Sequence, residues 1–185
     1  MKEKVVGGAA LLAAFAVLYV FAIPSYRQSE PSIAGRRAPD FALELNGRPA
    51  HLADLHGKVV VLDFWASWCP PCVAEAQSLN DLQQRIESQG GLVLGVSQDG
   101  DTSAYEKFLV DHQVNFPTFR DPSIQVSDSG GDNRVGAIAQ GYGTVIIPEA
   151  YLISRDGRIA RKIVGQQDWT SPELLSTIDT LLRSQ

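Results

Sequence analysis

The chain has 185 residues, 44% of them hydrophobic, which is enough to bury one sizeable core. Sixteen Lys and Arg stand against 21 Asp and Glu, a formal net charge of −5. With no basic run beyond Arg36-Arg37, the balance argues against nucleic acid as a partner, and the composition argues against disorder on a large scale.

Taken in chain order, residues 5–23 form an uncharged apolar stretch behind Lys2 and Lys4. At about 1.5 Å per helical residue it is long enough to cross roughly 30 Å of hydrocarbon. The lysines predict a cytoplasmic N-terminus with everything after Pro24 outside, and Tyr19 and Tyr26 suit the outer interface. A cleaved signal peptide ending near Ala22 is the competing reading, but the stretch exceeds the usual apolar region of roughly 7 to 15 residues, which favours an uncleaved anchor over 1–24. Either way the rest of the chain is exported to an oxidising compartment, the periplasmic space or its equivalent, where a cysteine pair can persist as a disulfide.

Residues 25–38 are polar, with Pro31 and Gly35, and read as a tether, leaving 39–185 as the folded domain. Asn46-Gly47 between two alternating runs predicts a β-hairpin. The near-continuous apolar run VVVLDFW, 59–65, predicts a central strand buried on both faces in spite of Asp63. Pro70 and Pro71 then open a helix with a stripe of Ala74, Leu79, Leu82 and Ile86, stopped by Gly90-Gly91. LVLGVS is the next strand, followed by a helix capped by Thr102 or Ser103 and a short strand in FPTFRD. Residues 127–143 carry five glycines and predict an irregular excursion around a short helix at 137–140. Two strands joined by a turn at Arg155-Asp156-Gly157 come next, and a last helix starts from a Thr170, Pro172, Glu173 capping arrangement. The pattern predicts a three-layer α/β sandwich around a mixed sheet.

The only two cysteines, Cys69 and Cys72, lie one helical turn apart where the central strand gives way to a helix. The dipole and unpaired amides of a helix N-terminus favour an exposed thiolate at Cys69, and Cys72 sits within disulfide reach on the same face. A thiolate that attacks a partner disulfide needs a second thiol nearby to resolve the mixed disulfide, and this spacing supplies one. Three other readings compete. A purely structural bridge closing a two-residue loop would constrain the unfolded chain little. A zinc site would draw on His51, His56, Cys69 and Cys72, but a buried strand separates the pairs. Haem attachment needs a histidine where Val73 stands.

DFWASWCPPCVAE, with IIPEAYLISRDGRI further on, resembles the thioredoxin superfamily, in particular its membrane-anchored TlpA, ResA and CcmG (DsbE) group, over roughly residue 38 to the C-terminus. The resemblance implies a thioredoxin-like fold with an N-terminal hairpin extension, Cys69 as nucleophile and Cys72 as resolving thiol. It places a cis-proline at Pro148, where Ile147 would offer its backbone to an extended substrate, with Trp68 and Pro70 on the docking surface. It also places two acids near the cysteines: Asp63 where thioredoxin carries one, and Glu75 where the anchored group does. Burial would raise either pKa and make each a candidate proton shuttle for Cys72. Trp65 is read as core.

The implied activity is thiol–disulfide exchange that reduces disulfides of extracytoplasmic proteins, with electrons from a membrane dithiol donor. No cofactor beyond the redox-active disulfide and no metal is expected, and a monomer is. Pro148-Glu149 is similar to the CcmG branch, which implies apocytochrome c as substrate, whereas Gln77 replaces a helix-kinking proline of many relatives. A disulfide donor, a thiol peroxidase and a tethered chaperone are the alternatives. The peroxidases carry a threonine where this chain has Ala66.

Overall fold

The computed structural model describes residues 33–45, 47–124 and 135–184. The expected anchor, most of the tether and the first part of the glycine-rich excursion lie outside the described residues. In chain order the elements are β1 (Ala42–Leu45), β2 (Arg48–His51), β3 (Val59–Trp65), α1 (Pro70–Ile86), β4 (Gly91–Ser97), α2 (Thr102–Asp111), β5 (Thr118–Arg120), α3 (Ala137–Gly141), β6 (Glu149–Ile153), β7 (Ile159–Val164) and α4 (Pro172–Arg183), with 3-10 turns at Leu52–Leu55 and Glu87–Gln89. None of these helices is long and apolar enough to cross a membrane.

All seven residues of β3 are buried because it is the central strand of a five-stranded sheet ordered β5-β4-β3-β6-β7. It pairs in parallel with β4 and antiparallel with β6, so the sheet is mixed as expected. From β3 to β4 to β5 the chain steps in one direction, and right-handed crossovers therefore place α1 and α2 on the same face. Leu79, Leu82 and Ile86 of α1 pack there with Leu174, Ile178 and Leu182 of α4 over Val59, Val61 and Leu152. Burying each such side chain stabilises the fold by about 1.5–3 kcal/mol. The opposite face is aromatic: Phe64 meets Tyr142 and Tyr151, and Tyr142 meets Phe41 just ahead of β1. The β1–β2 hairpin forms its own two-stranded sheet, with Gly47 in its turn at φ 73°.

Several local expectations are corrected. The tether ends earlier than residue 38, because the Gly35 amide donates to the Ile159 carbonyl and Arg37 bridges to Arg158. Ala74 is exposed, and the buried stripe of α1 runs instead through Cys72, Glu75, Ala76, Leu79, Leu82, Gln83 and Ile86. Asp101, not Thr102 or Ser103, caps α2, accepting from the Ser103 amide at 2.8 Å. Ser171 occupies the N-cap of α4 with no side-chain bond, since Thr170 is turned back onto Asp168. With Gln77 in place of proline, α1 is unbroken over 17 residues.

Candidate active site

Cys69 is the N-cap of α1, and Pro70 and Pro71 fill the next two positions. Proline has no amide hydrogen, so the first N–H the helix can offer belongs to Cys72, and it donates to Cys69 Sγ at 3.3 Å. The sequence thus aims one backbone donor and the helix dipole at this sulfur, an arrangement that favours its ionised form. Here the two sulfurs form a disulfide with Cα atoms 5.3 Å apart. The expectation of an exposed nucleophile is corrected: Cys69 is 4% exposed and Cys72 3%, both packed against Trp65, Ala66, Ala76 and Phe108. Trp65 is core, as expected, its indole donating to Thr118 Oγ1.

Access to Cys69 is through a groove of about 420 Å³ lined by Trp68, Pro70, Pro71, Val135, Val145, Ile146 and Ile147. Its walls expose apolar side chains that burial would favour, with Trp68 at 54%, Ile146 at 61% and Val145 at 83%. The Ile147–Pro148 bond is cis, as the resemblance implied. Ile147 borders the groove and packs on the cysteine cluster, whereas Pro148 is buried behind it and does not line the groove.

Asp63 and Glu75 both reach the interior, each about 1% exposed. Neither carboxylate oxygen of Asp63 has a hydrogen-bond partner. Burial first, and then repulsion from Glu75, push its pKa well above the ordinary carboxylate range. Glu75, one turn beyond Cys72 on the buried side of α1, is pushed up to about 7 by burial. The Gln167 amide, donating to its Oε2 at 3.0 Å, works in the opposite direction. So does the indole N–H of Trp169, which is turned toward the same carboxylate but stops short of hydrogen-bond geometry. Two buried acids that repel each other and differ in their donors are suited to exchange protons with a neighbouring thiol.

The histidines weighed for zinc are not brought to the cysteines. His51 pairs with Asp40 at 3.0 Å and His56 packs beside Gly157, both at the opposite end of β3 from Cys69. Seven residues of strand span about 23 Å.

Sequence reasoning missed a support beneath the cysteine loop. Asp99, just past the C-terminal end of β4 and 1% exposed, accepts from the Ser67 amide, from Ser67 Oγ at 2.6 Å and from Ser97 Oγ at 2.6 Å. The Gln98 amide donates to the Trp65 carbonyl at 2.7 Å. A polar residue at the carboxyl end of a central parallel strand is the available signal, since binding crevices form there. A second network was also missed: Glu149, next to Pro148, is 2.9 Å from Lys162 Nζ and accepts from the hydroxyls of Thr144 and Tyr151.

Comparison with known proteins agrees with this geometry. Residues 34–162 match the AhpC/TSA family. The chain is 32% identical to the thiol-disulfide oxidoreductase ResA of Oceanobacillus iheyensis over 79% of its length and 73% of the relative's. It is 32% identical to ResA of Bacillus subtilis over 71% and 67%. A crystal structure assigned as a thiol:disulfide interchange protein DsbE of Chlorobium tepidum superposes with a TM-score of 0.69 at 32% identity, covering 80% of this chain and 97% of that one. The chain belongs to the AhpC/TSA family, and its disulfide at the start of a helix accords with the ResA-like and DsbE-like thiol–disulfide oxidoreductase that these likenesses indicate.

Proposed function

We propose that the protein is an exported, membrane-tethered reductant of disulfides in extracytoplasmic proteins, and that apocytochrome c is its substrate class. The observation that carries the reading is Cys69 at the helix N-terminus, its sulfur accepting the Cys72 amide and reached through an apolar groove. Export and tethering rest on residues 5–23 and the lysines before them. The substrate class rests on the likeness of Pro148-Glu149 to the CcmG branch and on the groove, whose apolar walls suit an unfolded segment presenting a cysteine.

In the forward reaction the Cys69 thiolate attacks one sulfur of the substrate disulfide, which releases the first substrate thiol and leaves a mixed disulfide. Cys72 then gives its proton to a buried carboxylate and attacks Cys69 Sγ, forming the Cys69–Cys72 disulfide and expelling the second substrate sulfur as a thiolate, which takes a proton from solvent. Two electrons pass to the substrate, and a membrane dithiol restores the reduced pair. No other cofactor enters. Trp68, Pro70 and Ile147 contact the substrate, with Pro148 holding Ile147 in place. The protein acts as a monomer.

Equilibrating the pair against graded dithiothreitol and glutathione buffers tests the direction. A potential near that of thioredoxin, about −270 mV, is expected, whereas one near about −120 mV would make the protein a disulfide donor. Replacing both cysteines with alanine should abolish reduction of a protein disulfide, and retained activity would mark a binding module.

A further inference from the structure

The region around Glu75 gathers four buried polar atoms without partners: both carboxylate oxygens of Asp63, Oε1 of Glu75 and Nε1 of Trp169. Buried polar atoms are rarely left unpaired, so such a cluster calls for a reason. Trp169 is 1% exposed, among the largest fully buried side chains of the described residues, and it sits in the loop between β7 and α4. That loop is fastened to α1 at two points. The Gln167 amide donates to Glu75 Oε2 at 3.0 Å, and the Trp169 amide donates to Ser78 Oγ at 3.2 Å. Ser78 Oγ in turn donates to the Glu75 carbonyl at 2.9 Å. The indole is therefore held against the helix turn that carries Glu75, with its one polar atom free and the carboxylate oxygen Oε1 also free.

We propose that Trp169 is a positioning residue for thiol–disulfide exchange: its indole N–H and the Gln167 amide form the donor pair that lets Glu75, rather than Asp63, take the proton of Cys72. The inference rests on the exchange reaction proposed above. In the step concerned, the S–H bond of Cys72 breaks, its proton moves to Glu75, and the freed thiolate forms the bond to Cys69 Sγ while the Cys69–substrate bond breaks and the substrate sulfur leaves as a thiolate. As Glu75 becomes neutral, the indole loses its hold on the carboxylate. When Glu75 releases the proton, the indole closes onto Oε1 again. Asp63 has no donor of either kind and stays protonated through the cycle.

The other charged groups near Glu75 do not offer this service. Asp63 on β3 repels it, and Asp168 in the same loop is bonded to Thr170. Arg161 on β7 reaches Glu173, and Lys162 turns to Glu149 on the other side of the sheet. In α1 itself the nearest titratable group is the thiol of Cys72.

The test is ¹H–¹⁵N NMR of the indole groups of Trp65, Trp68 and Trp169 in the full chain in micelles, reduced, from pH 5 to 9, each signal assigned with a Trp→Phe variant. The Trp169 signal should move with a midpoint near 7, that of Glu75, and should stand still in Glu75→Gln. In Trp169→Phe the midpoint of the pH–rate profile for the resolving step should rise by about one pH unit, a tenfold change in the ionisation constant of Glu75. A Trp169 signal that is flat across this range, or that moves equally in Glu75→Gln, overturns the proposal. So does a Trp169→Phe profile that superimposes on the parent. If that variant does not fold, comparison of the parent with Glu75→Gln decides alone. Failure of the exchange reading itself would look different, because the unaltered chain would then not reduce a protein disulfide at any pH.

Discussion

Asp63 and Glu149 are buried acids on neighbouring strands, one residue out of register, since Asp63 lies opposite Ala150 and Phe64 opposite Glu149. Alternation along the strands sends them to opposite faces of the sheet. Glu149 is met by Lys162, Thr144 and Tyr151, which pair both of its carboxylate oxygens. Asp63 is met by no donor and by a second acid, so it keeps its proton. The same chemical group, equally buried, therefore does two jobs: the partnered acid ties β6 to β7, and the orphaned one stays neutral under the cysteines. Polar satisfaction separates structural burial from burial available for proton chemistry.

Breaking the partnered side should give the largest effect. Lys162→Met strands the Glu149 carboxylate in the interior and should cost about 4 kcal/mol of stability in urea denaturation. The exchange rate per folded molecule should stay within about twofold. A loss under about 1 kcal/mol would mean that the Lys162 contact does little to hold β6 to β7.

The orphaned side should respond to pH instead. Glu75 holds its proton to about 7 in the folded state against 4.5 when free. Its contribution to stability is thus full below about pH 4.5, falls as pH rises toward 7 and is flat above. The span corresponds to about 3 kcal/mol, and Glu75→Gln should flatten most of it. A stability that instead rises across that window would reverse the assignment. Asp63→Asn removes a group that burial opposes and should add about 2 kcal/mol at pH 8, while the resolving step stays within about twofold because Glu75 takes the proton. Destabilisation there would show that Asp63 has a partner after all.

The contrast between the two acids also marks where sequence reading ended. The Cys-Pro-Pro-Cys step, the buried strand before it and the hairpin around Gly47 rest on local chemistry, fixed φ at proline and apolar runs, and each stands in the fold as read. The proline at position 148 was placed by resemblance, and its cis bond is observed. What escaped was every partner distant in the chain. Gln167 reaches Glu75 across 92 residues, and Asp99 reaches Ser67 across 32. No spacing rule links them, because sheet order and not sequence distance brings them together. The tether boundary slipped for the same reason, since Gly35 is anchored by a strand end 124 positions later, at Ile159. Ala74 was misassigned because a small residue satisfies an apolar stripe on either side of a helix. The buried side is set by Cys72 and Glu75, one of them a charged residue that pattern counting sends outward.

The two faces meet in the loop that leads into Pro148. Thr144 is bonded to Glu149, while Val145 and Ile146, next along the chain, stand exposed on the groove beside Cys69. An exposed side chain adds little to folding, so Ile146→Ser should leave the melting temperature unchanged. It should lower kcat/KM for a protein disulfide about fivefold, with no change for dithiothreitol, which is too small to cover the groove. Thr144→Val removes a hydroxyl from the partnered network and should lower both stability, by about 1 kcal/mol, and kcat/KM, because the loop loses its anchor. If Ile146→Ser instead acts equally on both substrates, the groove is not a docking surface, and the exposed apolar pair must serve something other than the reaction at Cys69.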